Sequence, residues 1–265
     1  MEENFSVYNG KGTKLRKAQL RILDILIEVD IICKKHNIQY WLDYGTLLGA
    51  VRHGGFIPWD DDLDISIPRK DYVKLCKLLM DELPENLVFQ DETTDNNYFL
   101  KFAKVRDRNS FLDDPIMRNR GIKEHGLYID IFPLEKLFSK KMKTFIEYIY
   151  GNVYRRYKKF YPSKWKYISG ILLLPFAKCL IMIIRFLSFI IPTKKYFTGC
   201  GAPFYYQHTY YFKYIFPCQT IVFEGYTFNA PNDPHLYLQN IYGDYLKIPP
   251  KEKRIIHSER IEFYD

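Results

Sequence analysis

The residues best suited to chemistry are the acids of the run Asp60-Asp61-Asp62-Leu63-Asp64 and one acid, Asp130, inside the apolar stretch Gly126–Pro133. Alternation with period two over Asp62–Ile67 puts Asp62 and Asp64 on one face of a strand and turns Leu63, Ile65 and Ile67 to a core. Adjacent carboxylates repel, so a folded chain keeps them together with a proton, a cationic side chain or a metal ion, and hard oxygen ligands favour magnesium or manganese. Acid-rich runs are most often solvated loops, but Phe56-Ile57-Pro58-Trp59 before this one and the apolar strand after it are built for burial. A calcium loop starting at Asp60 fails, because its sixth position is Ile65 rather than Gly and its twelfth is Asp71 rather than Glu. An unpaired charge on Asp130 within its strand would cost several kcal/mol. The economical compensation is a metal shared with Asp62 and Asp64 from a neighbouring strand; an arginine partner is the structural alternative.

A second group of residues suits an anion. Ile38–Leu42 reads as a short strand that turns through Asp43-Tyr44-Gly45-Thr46 into a helix. Such a turn aims free N–H groups and the positive end of a helix dipole at one place, where Gly45 allows close approach and Thr46 offers a hydroxyl. Arg52 and His53 fall where that helix ends, before Gly54-Gly55, and either compensate the dipole or lean over a bound phosphate. Lys101 and Lys104 point to opposite faces of a predicted strand, so only one reaches the inner site, and Lys104 is preferred. The charged, turn-rich stretch 107–124 is a solvated loop or a basic lid.

Helical periodicity over 13–37, with Thr13 as N-cap, predicts an amphipathic helix, and 70–81 predicts another whose buried side includes Tyr72, Val73, Leu75, Cys76, Leu79 and Met80. Leu87–Gln90, Tyr98–Val105 and 126–133 read as strands. Residues 136–161 form a basic, aromatic helical stretch. Ile168–Pro192 is apolar and long enough to span a bilayer, but Lys178 and Arg185 inside it argue for a hairpin of helices, either docked on an anionic leaflet or packed on the core. Pro231–Asp244 reads as a helix after a turn at Phe223–Tyr226. The formal charge of +8 suggests an anionic partner. The five cysteines are scattered without a CxxC pair, which fits a reducing compartment. The start of the sequence has no basic segment leading into an apolar one, so a cytoplasmic location is expected, peripheral at the inner face of the membrane if the apolar helices dock there.

Gly45-Thr46, Asp62-Leu63-Asp64-Ile65 and Ile129-Asp130-Ile131 together resemble the nucleotidyltransferase pattern of a Gly-Ser/Thr turn, a DxD strand and a third acid on a later strand. More narrowly, GTLLGAVRHGGFIPWDDDLDI with YIDIFPL, FEGYTF, YLQNIYGDY and His257 resembles the LicD family, which includes the fukutin-related transferases. The resemblance covers about 13–135 and about 217–257. It implies an α+β fold, a mixed β-sheet flanked by helices with a helical, apolar insertion: 1–135 as catalytic core, 136–216 as insertion, 217–265 completing the core. It also implies transfer of a phospho-alcohol, usually phosphocholine and in some relatives ribitol phosphate, from a CDP-activated donor to a hydroxyl of a surface glycan or its lipid-linked precursor, with release of CMP. Carried over by position, Asp62, Asp64 and Asp130 hold magnesium or manganese, Gly45 and Thr46 take the donor phosphates, and Arg52, His53 and Lys104 contact them. Asp60 belongs to the motif as a further ligand or as an anchor behind the others.

Chemically, a metal bridging phosphate oxygens offsets the charge that develops at phosphorus, and Asp64 or Asp130 accepts the proton of the attacking hydroxyl. Two rival classes make distinct predictions. An enzyme adding a nucleotide to RNA or protein would consume NTP, although no nucleic-acid partner is expected; a non-catalytic membrane or glycan-binding module would leave the acids without metal.

Overall fold

In the computed structural model, which describes residues 4–114, 117–193, 195–198, 208–254 and 260–264, a one-turn helix α1 (Ser6–Asn9) leads into the long helix α2 (Lys14–Lys35). The Thr13 side chain accepts from the Arg16 N–H and caps α2, whose buried stripe runs through Ala18, Ile22, Leu26, Val29 and Cys33. The chain then forms β1 (Trp41–Leu42), α3 (Tyr44–His53), β2 (Asp64–Pro68), α4 (Arg69–Glu82), β3 (Leu87–Gln90), β4 (Ala103–Asp107), β5 (Ser110–Leu112) and β6 (Tyr128–Lys136). Helix α4 buries Tyr72, Leu75, Cys76 and Leu79 as predicted, but Val73 and Met80 are exposed because they fall outside that stripe. Strand β4 starts at Ala103 rather than Tyr98, since Tyr98–Phe102 turns and its side chains bury without pairing.

The central sheet is mixed, with order β1-β2-β6-β4-β3. Strands β2 and β6 run parallel at its middle, while β1 on β2, β4 on β6 and β3 on β4 are antiparallel. Ile65, Ile67, Ile129 and Ile131 are wholly buried, as expected of central strands covered on both faces.

Beyond β6 come α5 (Lys140–Tyr157) and α6 (Lys164–Ile190), then β7 (Lys195–Thr198), β8 (Thr209–Tyr211), the short α7 (Phe212–Ile215), the hairpin β9 (Gln219–Phe223) and β10 (Tyr226–Ala230), α8 (Pro234–Tyr242) and β11 (Ile261–Phe263). The apolar run is one continuous helix, not a hairpin within itself; the hairpin is α5 against α6. Pro175 is accommodated because its ring lies on the exposed side, while Leu174, Ala177, Ile181 and Ile184 pack with Ile146, Tyr150, Val153 and Tyr154 in a small core of their own. Strand β7 pairs with the end of β6 and β8 with β7, so Lys195–Thr198 and Thr209–Tyr211 extend the central sheet. Within 107–124, the described residues pack on the core: β5 pairs with β11, Met117 and Ile122 are buried, and Arg120 lies 3.9 Å from the Phe160 ring. Cys200 and His257 lie outside the described residues.

Candidate active site

The site forms where α3 begins against the leading ends of β2 and β6. Asp43, fully buried, caps α3: its carboxylate accepts from the Tyr44 N–H at 2.7 Å, from the Tyr237 hydroxyl at 2.9 Å and from the Ser66 hydroxyl. Burial pushes it up to about 6 against these three donors. Tyr44 takes φ 42°, a left-handed conformation that bulky residues avoid and that recurs at functional turns. Thr46 accepts from the Asp64 N–H at 2.8 Å, which ties the first turn of α3 to the start of β2. The Gly45 turn lies against Asp60, for a Cβ at Gly45 would stand 2.8 Å from an Asp60 carboxylate oxygen. Gln19, from α2, holds that loop by donating to the Asp60 carbonyl at 2.8 Å.

Asp64 and Asp130 are direct neighbours across the parallel pair β2–β6. Both are buried. Desolvation, then the charges of Asp62, Asp130, Asp43 and Asp60, hold Asp64 well above the usual carboxylate range. Asp130 has a cation beside it: Lys104, opposite it on β4, places Nζ 2.5 Å from Oδ1. Desolvation still pushes Asp130 up to about 6, and burial lowers Lys104 even with the carboxylate next to it. The Lys104 ammonium also sits 3.3 Å from the centre of the Tyr128 ring, with Arg106 on that ring at 4.7 Å.

Set beside the sequence expectations, the structure brings Asp62, Asp64, Asp130, Asp60, Gly45 and Thr46 into one neighbourhood and changes the partners of the basic residues. Lys104 is the inward-facing lysine, as expected, but it serves Asp130 instead of standing free for a phosphate; Lys101 turns away to Glu92, at 2.6 Å. Arg52 donates to the Tyr245 carbonyl and to His53 Nε2. His53 is therefore an acceptor, and burial with the adjacent Arg52 lowers it to about 4, so it offers no positive charge near neutral pH. Gly54 closes α3 in the left-handed region, which makes these two residues its C-terminal turn.

Two tyrosines that sequence spacing does not single out join the site. Although the Tyr242 ring is exposed, its hydroxyl is desolvated and raised by Asp64, Asp43, Asp60 and Asp62; the Tyr128 hydroxyl is raised by burial, then by Asp130, Asp62 and Asp114. Period two puts Tyr128 on the Asp130 face, and Tyr242 stands in YLQNIYGDY, whose sequence alone gives it no role.

The donors fit a hard divalent cation by chemistry, since Asp62 and Asp64 are crowded oxygen ligands whose mutual repulsion a cation would relieve. Among the described residues, however, no three acidic, His or Cys side chains already converge as a ready-made cage, because the Asp130 carboxylate is turned to Lys104.

The description "LicD/FKTN/FKRP, nucleotidyltransferase domain" matches residues 37–183, more than half of the sequence, from β1 through α5 and into α6. The chain belongs to this family. Among similar proteins, the lipopolysaccharide cholinephosphotransferase LicD of Haemophilus influenzae is 29% identical over 93% of this chain and 97% of its own length. The human ribitol 5-phosphate transferase FKRP is 56% identical over 35 residues, 13% of this chain and 7% of that protein. The mannosyltransferase regulator 4 of Saccharomyces cerevisiae is 30% identical over 43% of this chain and 10% of its own length. The LicD-family relatives named for a reaction are thus phosphotransferases, and the mixed sheet flanked by helices is the fold expected from the sequence.

Proposed function

We propose that this LicD-family protein moves a phospho-alcohol, phosphocholine in the first instance, from a CDP-activated donor to a hydroxyl of a cell-surface glycan or its lipid-linked precursor, releasing CMP. The observation that carries this is the pairing of Asp64 with Asp130 on adjacent parallel strands, with Asp62 beside them, at the start of a helix whose first turn is tied to the same strand through Thr46. Choline and a lipopolysaccharide-type acceptor are taken from the relative that matches along nearly its whole length.

In this reading Asp62 and Asp64 hold magnesium or manganese, with Asp60 in support behind Gly45. The metal, when bound, supplies positive charge to the phosphate oxygens. The first turn of α3, at Gly45 and Thr46, orients the donor diphosphate. Lys104 favours the ionised form of Asp130 beside the site, and Asp64 or Asp130 takes the proton from the attacking hydroxyl. Arg52 serves the donor side of the site at the other end of α3, through its charge near Asp60. His53 orients Arg52 by accepting its N–H.

The test is CMP release from CDP-choline, with CDP-ribitol and NTP in parallel and magnesium or manganese present. CMP release from CDP-choline that depends on the metal and on an acceptor glycan is the expected result. Release from CDP-ribitol alone would move the reading to a polyol-phosphate transferase, and incorporation of nucleotide from NTP with no CMP release would overturn it.

A further inference from the structure

We propose that α6 lies in the plane of an anionic phospholipid surface, its outward face in the lipid and the catalytic core held above it. Residues 136–216 contain fifteen Lys or Arg and one acid, Glu147, a net of +14; with +8 for the whole chain, everything outside this segment is net −6. The basic character of the protein thus belongs to one segment.

Helix α6 has 27 residues, about 40 Å of helix. It packs on the protein through a stripe formed by Gly170, Leu174, Ala177, Ile181, Ile184 and Ser188. At 100° per residue, Trp165, Leu172, Phe176, Ile183, Phe186 and Ile190 fall on one line along the opposite side, and all six are exposed, Trp165 by 81% and Phe176 by 74%. A helix facing water would carry its charges there. Here the cations sit at the margins instead. Lys164 and Lys166 flank Trp165, Lys159 lies 4.7 Å from the Tyr167 ring, and Lys166 lies 4.5 Å from the Tyr161 ring, a basic and aromatic collar of the kind that settles at headgroup level.

By length and composition α6 could instead cross a bilayer, but its other contacts oppose that. Arg185 is bonded to Glu135 on the central sheet at 2.5 Å, and the inner stripe is packed against α5, which bears Lys141, Lys143, Glu147, Arg155 and Arg156. Crossing would take those charges into hydrocarbon. A second copy of the chain would also cover the apolar line, but it would bring a second +14 segment against the first, whereas anionic lipid attracts both the collar and its neighbours. The acidic remainder is repelled by the same surface, which sets the orientation.

This inference does not depend on the proposed reaction, and its test reads binding alone. The full chain is floated with vesicles of phosphatidylcholine, with and without phosphatidylglycerol. It should float with the anionic vesicles, and the double substitution Phe176→Glu/Phe186→Glu should reduce flotation by about tenfold or more while leaving the far-ultraviolet circular dichroism and the melting temperature unchanged. Lys164→Glu/Lys166→Glu should reduce it on anionic vesicles specifically. Failure to float, indifference to lipid charge, or flotation unaffected by the Phe substitutions would each overturn the proposal. So would a dimer in sedimentation that the Phe substitutions dissociate with no vesicle binding, or resistance of the bound protein to alkaline carbonate extraction, which marks a spanning helix.

Discussion

Lys104 Nζ stands 2.5 Å from the Asp130 carboxylate, and both side chains are buried on adjacent strands. Breaking such a pair leaves one charge without compensation, at a cost of about 3–5 kcal/mol, whereas removing both charges is far milder. Lys104→Met is expected to lower stability in urea denaturation by that order, and Lys104→Met/Asp130→Asn to regain much of it with CMP release still abolished. If Lys104 instead gripped donor phosphate, Lys104→Met would raise KM for CDP-choline and leave the denaturation midpoint in place.

His53 is held near 4, so its imidazole is expected to stay neutral across the physiological range. In a proton-detected NMR titration, its ring signals should remain flat from about pH 5.5 to 8, where an ordinary histidine with a pKa near 6.5 would titrate. A midpoint above 6 would restore it as a cationic phosphate contact.

The glycines of α3 separate chemistry from folding. At Gly45 an added Cβ meets the Asp60 side chain at 2.8 Å, a group that can swing away; at Gly49 it meets the Gly55 carbonyl at 2.4 Å, which belongs to the backbone. Gly45→Ala should therefore fold, since alanine favours the helix by up to about 1 kcal/mol, and lose CMP release as Asp60 is displaced. Gly49→Ala should lower the melting temperature. The reverse pattern would mean that Asp60 has no part in the site.

Glu135 joins α6 to the sheet by accepting from Arg69 and Arg185. Although burial alone would raise it, these two guanidinium groups hold it below its ordinary value. A depressed carboxylate contributes stability above its unfolded value of about 4.5, and that contribution is lost as pH falls through the folded value. The wild type should therefore lose stability below about pH 4.5 more steeply than Glu135→Gln, measured as melting temperature against pH. Parallel curves would show that the two arginines do not hold the carboxylate.

Much of this architecture was legible in local pattern. Thr13, Asp43 and Gly54 mark the ends of α2 and α3, and alternation over Asp62–Ile67 and 126–133 located the two central strands. Pairing across the sheet was not legible. Nothing between Lys104 and Asp130 in the chain says that their strands align in that register, so the sequence points to a metal for Asp130 where a lysine supplies the charge. The Tyr242 hydroxyl is likewise carried to the aspartates by α8, from a part of the chain that no spacing connects to them. In the sequence, Lys178 and Arg185 simply interrupt the apolar run; in the structure Arg185 turns inward to Glu135, which frees the opposite face.

The most direct test is a comparison of Asp64→Asn with the wild type, reading CMP release from CDP-choline and melting temperature with and without magnesium. Asp64 sits among like charges, so without metal Asp64→Asn should melt at the same temperature or higher. Magnesium should stabilise only the wild type, and Asp64→Asn should release CMP about a thousandfold more slowly. Release within about tenfold of the wild type, or equal stabilisation of both proteins by magnesium, would contradict the account.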